Sequence, residues 1–407
     1  MSSPTFHAAA AMSESKDSAA AASEAVSAAL AQLPPATPPR LALLFTTSRH
    51  DPAALSAAAR ALLPPDCLFC GGYVVGTMTR TQLAYDGWQV GVALLAGDEI
   101  PHLFAVEPNL PGREHDVGAA LGQQLAKNAL SPADSLLLFY DTVKTVAGAP
   151  ALNMATPLLA GLSATCQIPP RLAGMGMIGD MQLHPTFQFA GDRVLQSSAM
   201  VLAFRPPLRL DTVILHGCKP AGRYYEITRT DGPVVLEIDH KPALDVIGDM
   251  LGPDAGLSWE DYAFFVTLGL NRGDPFGPYR EEDYANRMCI GIDKDRKGLV
   301  MFENDLVPGM KVQLMRRSVE TSYIPARVAA LLDLAKTRKP LLAFYIDCAG
   351  RAATYSGMDE EEALQVQNSL PPNLPLLGVY SGVEIARVGG HPQALDWTGV
   401  LCLLSSD

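Results

Sequence analysis

One order of elements returns along this chain and limits its possible folds more than any other feature. Residues 41–47 are an apolar run of strand length, and Asp51 followed by Pro52 opens a helix to about residue 63. Glycines Gly71, Gly72 and Gly76 come next, and residues 88–96 read as a second strand. The order then recurs: strand at 136–140, helix at 150–162, glycines Gly174, Gly176 and Gly179, strand at 198–204. An offset of roughly 95–110 residues is too long for a solenoid and fits an old duplication. The expectation is an N-terminal domain of two related halves, with the two glycine clusters in equivalent places.

The C-terminal stretch echoes this order, with a strand at 341–346, a helix at 358–368, and strands at 376–385 and 399–404. Between the echoes, residues 205–212 carry prolines that exclude a central strand and read as a boundary. Asp231-Gly232 turns a hairpin of residues 224–230 and 234–238, and residues 288–293 pair with 299–302. Pro242 and Gly252 bracket a short helix. Ser322 and Pro325 start another, with Val328, Leu331, Leu332 and Ala335 on one face. The fold class is α/β, two domains with mixed β-sheets flanked by helices. A helical extension covers 1–36, the N-terminal domain 37–208, and the C-terminal domain 209–407.

Composition narrows the partners. Of 407 residues 48% are apolar and 18% charged, and the net charge is −12. That acidity argues against binding to nucleic acid or anionic lipid. No apolar run reaches the ~18 residues of a membrane helix. Seven scattered cysteines do not form a secreted disulfide framework, and the start has no basic region ahead of an apolar one. A cytoplasmic location is expected.

Two motifs fail on context. Gly174-Met-Gly176-Met-Ile-Gly179 spells a dinucleotide fingerprint, but Pro169-Pro170 precede it and no helix signal follows. Close backbone approach explains these glycines better. Cys67 and Cys70 have metal spacing but no second pair, so neither zinc nor nucleotide is expected. All eight histidines stand alone, and His184, His216 and His240 are the candidates for an axial haem bond.

The most chemically loaded stretch is Asp347-Cys348-Ala-Gly-Arg351, at the end of an apolar strand. Arg351 offers a planar fork for a carboxylate, and Glu384 a partner for an amine or for that arginine. An internal arginine–carboxylate bond is the competing reading. The two residues should lie within reach of each other, lining a pocket near the domain interface. Cys348 lacks a nearby base as a nucleophile. The residues expected to bind ligand are Asp347, Cys348, Arg351, Tyr380, Ser381, Glu384 and Asp180, with no metal and no catalytic group assigned.

At these residues the chain resembles the FIST family (F-box and intracellular signal transduction). The resemblance rests on Cys70-Gly-Gly-Tyr-Val-Val-Gly76 and Gly174-Met-Gly-Met-Ile-Gly-Asp180. It continues through Gly217-Cys-Lys-Pro-Ala-Gly222, Lys241-Pro-Ala243, Cys348-Ala-Gly-Arg351 and Gly378-Val-Tyr-Ser-Gly-Val-Glu-Ile385, in the family's order. It implies a small-ligand-binding sensory protein, with an amino acid or derivative as ligand and no cofactor. With no output module in view, the expectation is a stand-alone sensor that signals through a separate protein. Two alternatives follow: a haem-binding nitric-oxide sensor, as some relatives are thought to be, or an enzyme acting on a small metabolite in the same pocket.

Overall fold

Local capping signals start the first two helices of the chain. The Asp17 carboxylate accepts the Ala20 N–H at 2.8 Å and Asp51 accepts that of Ala54 at 2.7 Å. Each bond satisfies an orphan donor at a helix N-terminus, a contribution of ~1 kcal/mol. The helices run Ser18–Leu30 and Pro52–Leu62. The computed structural model describes residues 5–251, 266–317 and 320–407. Gly252, expected to close the helix Ala243–Leu251, lies outside them.

The chain builds three six-stranded sheets on one plan. At the centre of each, two strands run parallel: Pro39–Thr46 with Leu68–Tyr73, Ser135–Asp141 with Arg171–Met177, and Lys339–Cys348 with Leu376–Ser381. An antiparallel strand and an edge strand flank the first of each pair, such as Val90–Gly97 and Phe6–Ser13 in the first sheet. On the other side sits a hairpin lent by a different sheet's chain segment. Gly76–Met78 and Leu83–Tyr85 join the third sheet, Gln188–Ala190 and Arg193–Leu195 the first, and Val383–Val388 and His391–Leu395 the second. The exchange closes a ring.

Two helices cover the outer face of each sheet. Ser18–Leu30 and Pro52–Leu62 pack on the first, Glu114–Lys127 and Ala155–Thr165 on the second, Ile324–Leu334 and Glu362–Ser369 on the third. The inner faces meet in a common core. Phe45, Phe139 and Phe344, one from each central strand, converge there with ring centroids 5.7, 5.7 and 6.5 Å apart. Strands buried on both faces read as the near-continuous apolar runs seen in the sequence. Residues 216–317 are inserted into the third unit, and the described ones among them fold mainly as a separate antiparallel sheet around the hairpin Tyr225–Asp231 and Val234–Ile238.

Several expected elements change. The helical extension at 1–36 also carries the edge strand Phe6–Ser13, so it belongs to the first sheet. The helix expected from 150 begins at Ala155, because Ala149–Leu152 pairs with Val143–Val146. The helix expected at 358–368 starts at Glu362, after a short turn of helix at Ala353–Ser356. The strand expected at 376–385 breaks at Gly382, where the chain passes from the third sheet to the second. Gly174 and Gly176 lie inside a strand, and a Cβ on Gly174 would fall 2.3 Å from the Leu138 carbonyl oxygen. A Cβ on Gly71 would likewise fall 1.9 Å from the Leu44 carbonyl oxygen.

Candidate functional site

The residues singled out in the sequence separate into three places. The first is a buried ion cluster at the end of Lys339–Cys348. Arg351 Nε donates to Asp347 Oδ1 at 2.9 Å, and its Nη2 lies 2.7 Å from Glu362 Oε2. Further bonds, each 3.4 Å, reach the carbonyls of His216 and Trp397 and the Tyr323 hydroxyl. Burial pushes the Asp347 carboxyl up to about 7, against the pull of Arg351. Tyr380 stands beside the cluster, donating to Glu361 at 2.7 Å. The guanidinium is fully engaged by protein groups.

The second place holds Glu384, Ser381 and Cys348. The Ser381 hydroxyl donates to Glu384 Oε1 at 3.0 Å, and Glu384 Oε2 is buried without a partner. Burial first, then the charge of Asp347, raises the Glu384 carboxyl well above its usual range. Burial likewise keeps Cys348 a protonated thiol, a poor nucleophile. The expected Arg351–Glu384 pair does not form; the arginine's carboxylate partners are Asp347 and Glu362. The cause is the sheet crossing at Gly382, which pairs Glu384 with Met175 of the second sheet.

The third place is open to solvent. Asp180 lines a cleft of about 410 Å³ together with Thr47, Ser48, Arg49, Asp86, Gly179, Gln182, His184 and Tyr355. Thr47–Arg49 and Gly179–Asp180 follow the carboxyl ends of parallel strands in two different sheets. Such ends are where open α/β sheets present ligand contacts. The Ser48 N–H donates to the Gly179 carbonyl at 3.1 Å and joins the two segments. The Asp180 carboxylate accepts from the Ser48 hydroxyl, from the Gln182 N–H at 3.0 Å, and meets His184 Nδ1 at 2.9 Å. Partial burial pushes its pKa up, but the bonds from Ser48 and His184 outweigh that and hold it below the ordinary value. Arg49, exposed, lines the same cleft with Nε on the Asp86 carbonyl at 2.8 Å. Tyr355 closes one side by donating to the Asp86 carboxylate.

Of the cleft residues, Asp180 was expected as a ligand contact; Ser48, Arg49, Asp86 and Tyr355 were not. Their signal was position: Ser48-Arg49 directly follows the 41–47 run, where a strand end delivers side chains to a shared rim. Of the candidate haem histidines, His184 serves Asp180, and His216 has both ring nitrogens occupied, by the Cys218 N–H and the Glu281 carbonyl. Cys67 and Cys70 are buried core thiols. Among the described residues no cluster of three or more metal-ligating side chains occurs, and no helix is long and apolar enough to cross a membrane.

Residues 40–241 match the FIST N domain and residues 243–387 the FIST C domain. The chain belongs to the FIST family. FIST domains are associated with signal transduction and small-ligand sensing. Three relatives that the chain resembles carry names that give no function. Uncharacterized protein Rv0628c of Mycobacterium tuberculosis (strain H37Rv) is 24% identical over 213 residues, 52% of this chain and 55% of that protein. Uncharacterized protein Mb0898c of Mycobacterium bovis is 24% identical over 223 residues, 53% and 56% of the two chains. Uncharacterized protein MJ1623 of Methanocaldococcus jannaschii is 24% identical over 178 residues, 43% and 34%. The matches span about half the length of the first two relatives. A crystal structure of a chorismatase aligns over 100% of both chains at 12% identity, with a TM-score of 0.36.

Proposed function

We propose that this FIST chain is a cytoplasmic sensor of a small zwitterionic metabolite, an amino acid or derivative, and that the Asp180 cleft receives it. The observation that carries this reading is that side chains of opposite charge line one open cleft. Arg49 supplies a guanidinium for a carboxylate, while Asp180 and Asp86 supply carboxylates for an ammonium group. Its volume of about 410 Å³ lies within the ~300–1,000 Å³ of small-molecule sites. The buried Arg351 cluster is then a structural tie rather than the ligand contact. A signal leaves through a separate protein.

A thermal-shift screen of the amino acids and their N-acetyl derivatives tests this. A true ligand at 100 times its Kd stabilises the fold by ~2.7 kcal/mol. Asp180→Asn and Arg49→Ala should remove that response while leaving the unliganded melting temperature near wild type. N-acetylation, which removes the ammonium charge, should weaken it. A screen with no responding compound, or a response that both variants keep, rejects the proposal.

A further inference from the structure

Leu83–Tyr85 ends the third sheet, and its outer edge is free among the described residues. Its pairs are Gly76 with Tyr85, Thr77 with Ala84, and Met78 with Leu83. Asp86 N–H donates to the Val75 carbonyl at 2.9 Å and Thr79 N–H to the Gln82 carbonyl at 2.8 Å. Bonded and non-bonded pairs alternate in an antiparallel ladder, so Ala84 exchanges its bonds with Thr77. The N–H and C=O groups of Leu83 and Tyr85 therefore point outward. An exposed edge of this kind is a template for another strand.

The edge faces a groove of about 750 Å³ whose far wall is the helix Glu362–Ser369. Leu83, Tyr85 and Leu364 give it an apolar floor, with Leu364 40% exposed. Asp359 and Glu360 stand exposed at its rim. An edge strand beside a helix, with apolar contacts and one sign of charge, suits peptide recognition by strand addition. The rim and the net charge of −12 select a cationic partner and disfavour a second copy of this acidic chain.

We propose that this groove takes an extended, lysine- or arginine-bearing segment of a partner protein as an added strand beside Leu83–Tyr85. Backbone bonds go to Leu83 and Tyr85. Alternate side chains of the segment lie on the apolar floor, and its cationic ones reach Asp359 and Glu360. This site is separate from the amino-acid cleft, so either can fail without the other.

The test uses the full chain and four labelled octapeptides read by fluorescence anisotropy: alternating Lys and Val, alternating Glu and Val, and two forms of the Lys/Val peptide, N-methylated at alternate amides in one register or the other. The Lys/Val peptide should bind saturably, with the Glu/Val peptide and at least one of the two N-methylated peptides at least tenfold weaker. Leu83→Pro removes an outward N–H without costing a ladder bond, and should weaken binding at least tenfold. Asp359→Lys with Glu360→Lys, both on the surface, should do the same and decides the matter if the proline variant folds poorly. Absence of saturable Lys/Val binding overturns the proposal, as does equal binding of the Glu/Val or both N-methylated peptides. Dimerisation of the free chain that Leu83→Pro abolishes would also overturn it, by giving the edge to a second copy.

Discussion

Arg351 and Asp347 sit four residues apart at the end of one strand and bond at 2.9 Å with both side chains out of solvent. Glu362 meets the other side of the same guanidinium at 2.7 Å. One cation thus ties a strand end to the start of the helix Glu362–Ser369 and, through two carbonyls, to the loops at His216 and Trp397. Breaking a buried pair strands its partners in a low-dielectric setting, which costs more than the intact pair contributes.

Arg351→Ala should therefore destabilise the fold by ~3–5 kcal/mol, read from urea unfolding midpoints. The double variant Arg351→Met with Glu362→Gln should recover part of the loss, because fewer charges are left unpaired. A single variant within about 1 kcal/mol of wild type would show that water reaches the cluster.

The strand–helix–strand order of each unit was legible because apolar runs and N-cap signals are local. Asp51-Pro52 announces its helix, and 41–47 its strand. The hairpin exchange was not legible. The rule that consecutive strands lie side by side predicts that Glu384 stays beside Arg351. The chain instead leaves the third sheet at Gly382, whose N–H donates to the Gly176 carbonyl at 2.9 Å. No local pattern distinguishes a strand that continues from one that changes sheets, since both are apolar and buried. The cleft was half legible for a related reason: Asp180 lies in a recognisable glycine motif and Arg49 follows an apolar strand, while Asp86 reaches the cleft only at the end of the exchanged hairpin Gly76–Tyr85.

Stability should fall as pH rises through the acid-to-neutral range, relative to a variant lacking the raised carboxyls. Burial pushes both Asp347 and Asp396 up to about 7. An unfolded aspartate titrates near ~3.9, so between ~4 and ~7 the folded state holds the proton that the unfolded state has lost. Raising the pH through that window removes stability, by up to ~1.4 kcal/mol per unit for each group. Asp396→Asn keeps an acceptor for the Met288 N–H, which Asp396 Oδ2 receives at 2.9 Å, and abolishes one titration. Denaturant midpoints at pH 5 and 8 should show the variant gaining on wild type at the higher pH. Parallel pH profiles would refute the raised pKa.

Gly174 should not tolerate a side chain. Its added Cβ would lie 2.3 Å from the Leu138 carbonyl oxygen and 3.0 Å from the Leu138 Cβ, in the middle of the second sheet. Overpacking of this kind costs ~1–3 kcal/mol. Gly291 provides the control, since its Cβ would meet only Val300 at an ordinary 4.0 Å. Gly174→Ala should lower the melting temperature by several degrees, whereas Gly291→Ala should leave it unchanged or slightly higher. Equal behaviour of the two would contradict the close approach.

Tyr355 should govern access to the cleft without governing the fold. The residue is 38% exposed, and its hydroxyl donates to the Asp86 carboxylate at the cleft. Exposed polar pairs of this type contribute ~0–1 kcal/mol, so Tyr355→Phe should melt close to wild type. The substitution leaves the Asp86 carboxylate without that donor and free to accept from an ammonium group. If the cleft takes an amino acid by its charges, calorimetry should show Tyr355→Phe binding it a few-fold more tightly. Asp86→Asn should bind it more weakly, and the double variant should follow Asp86→Asn, because the hydroxyl acts through that carboxylate. Weaker binding by Tyr355→Phe with Asp86 intact would instead place the hydroxyl in direct contact with the ligand.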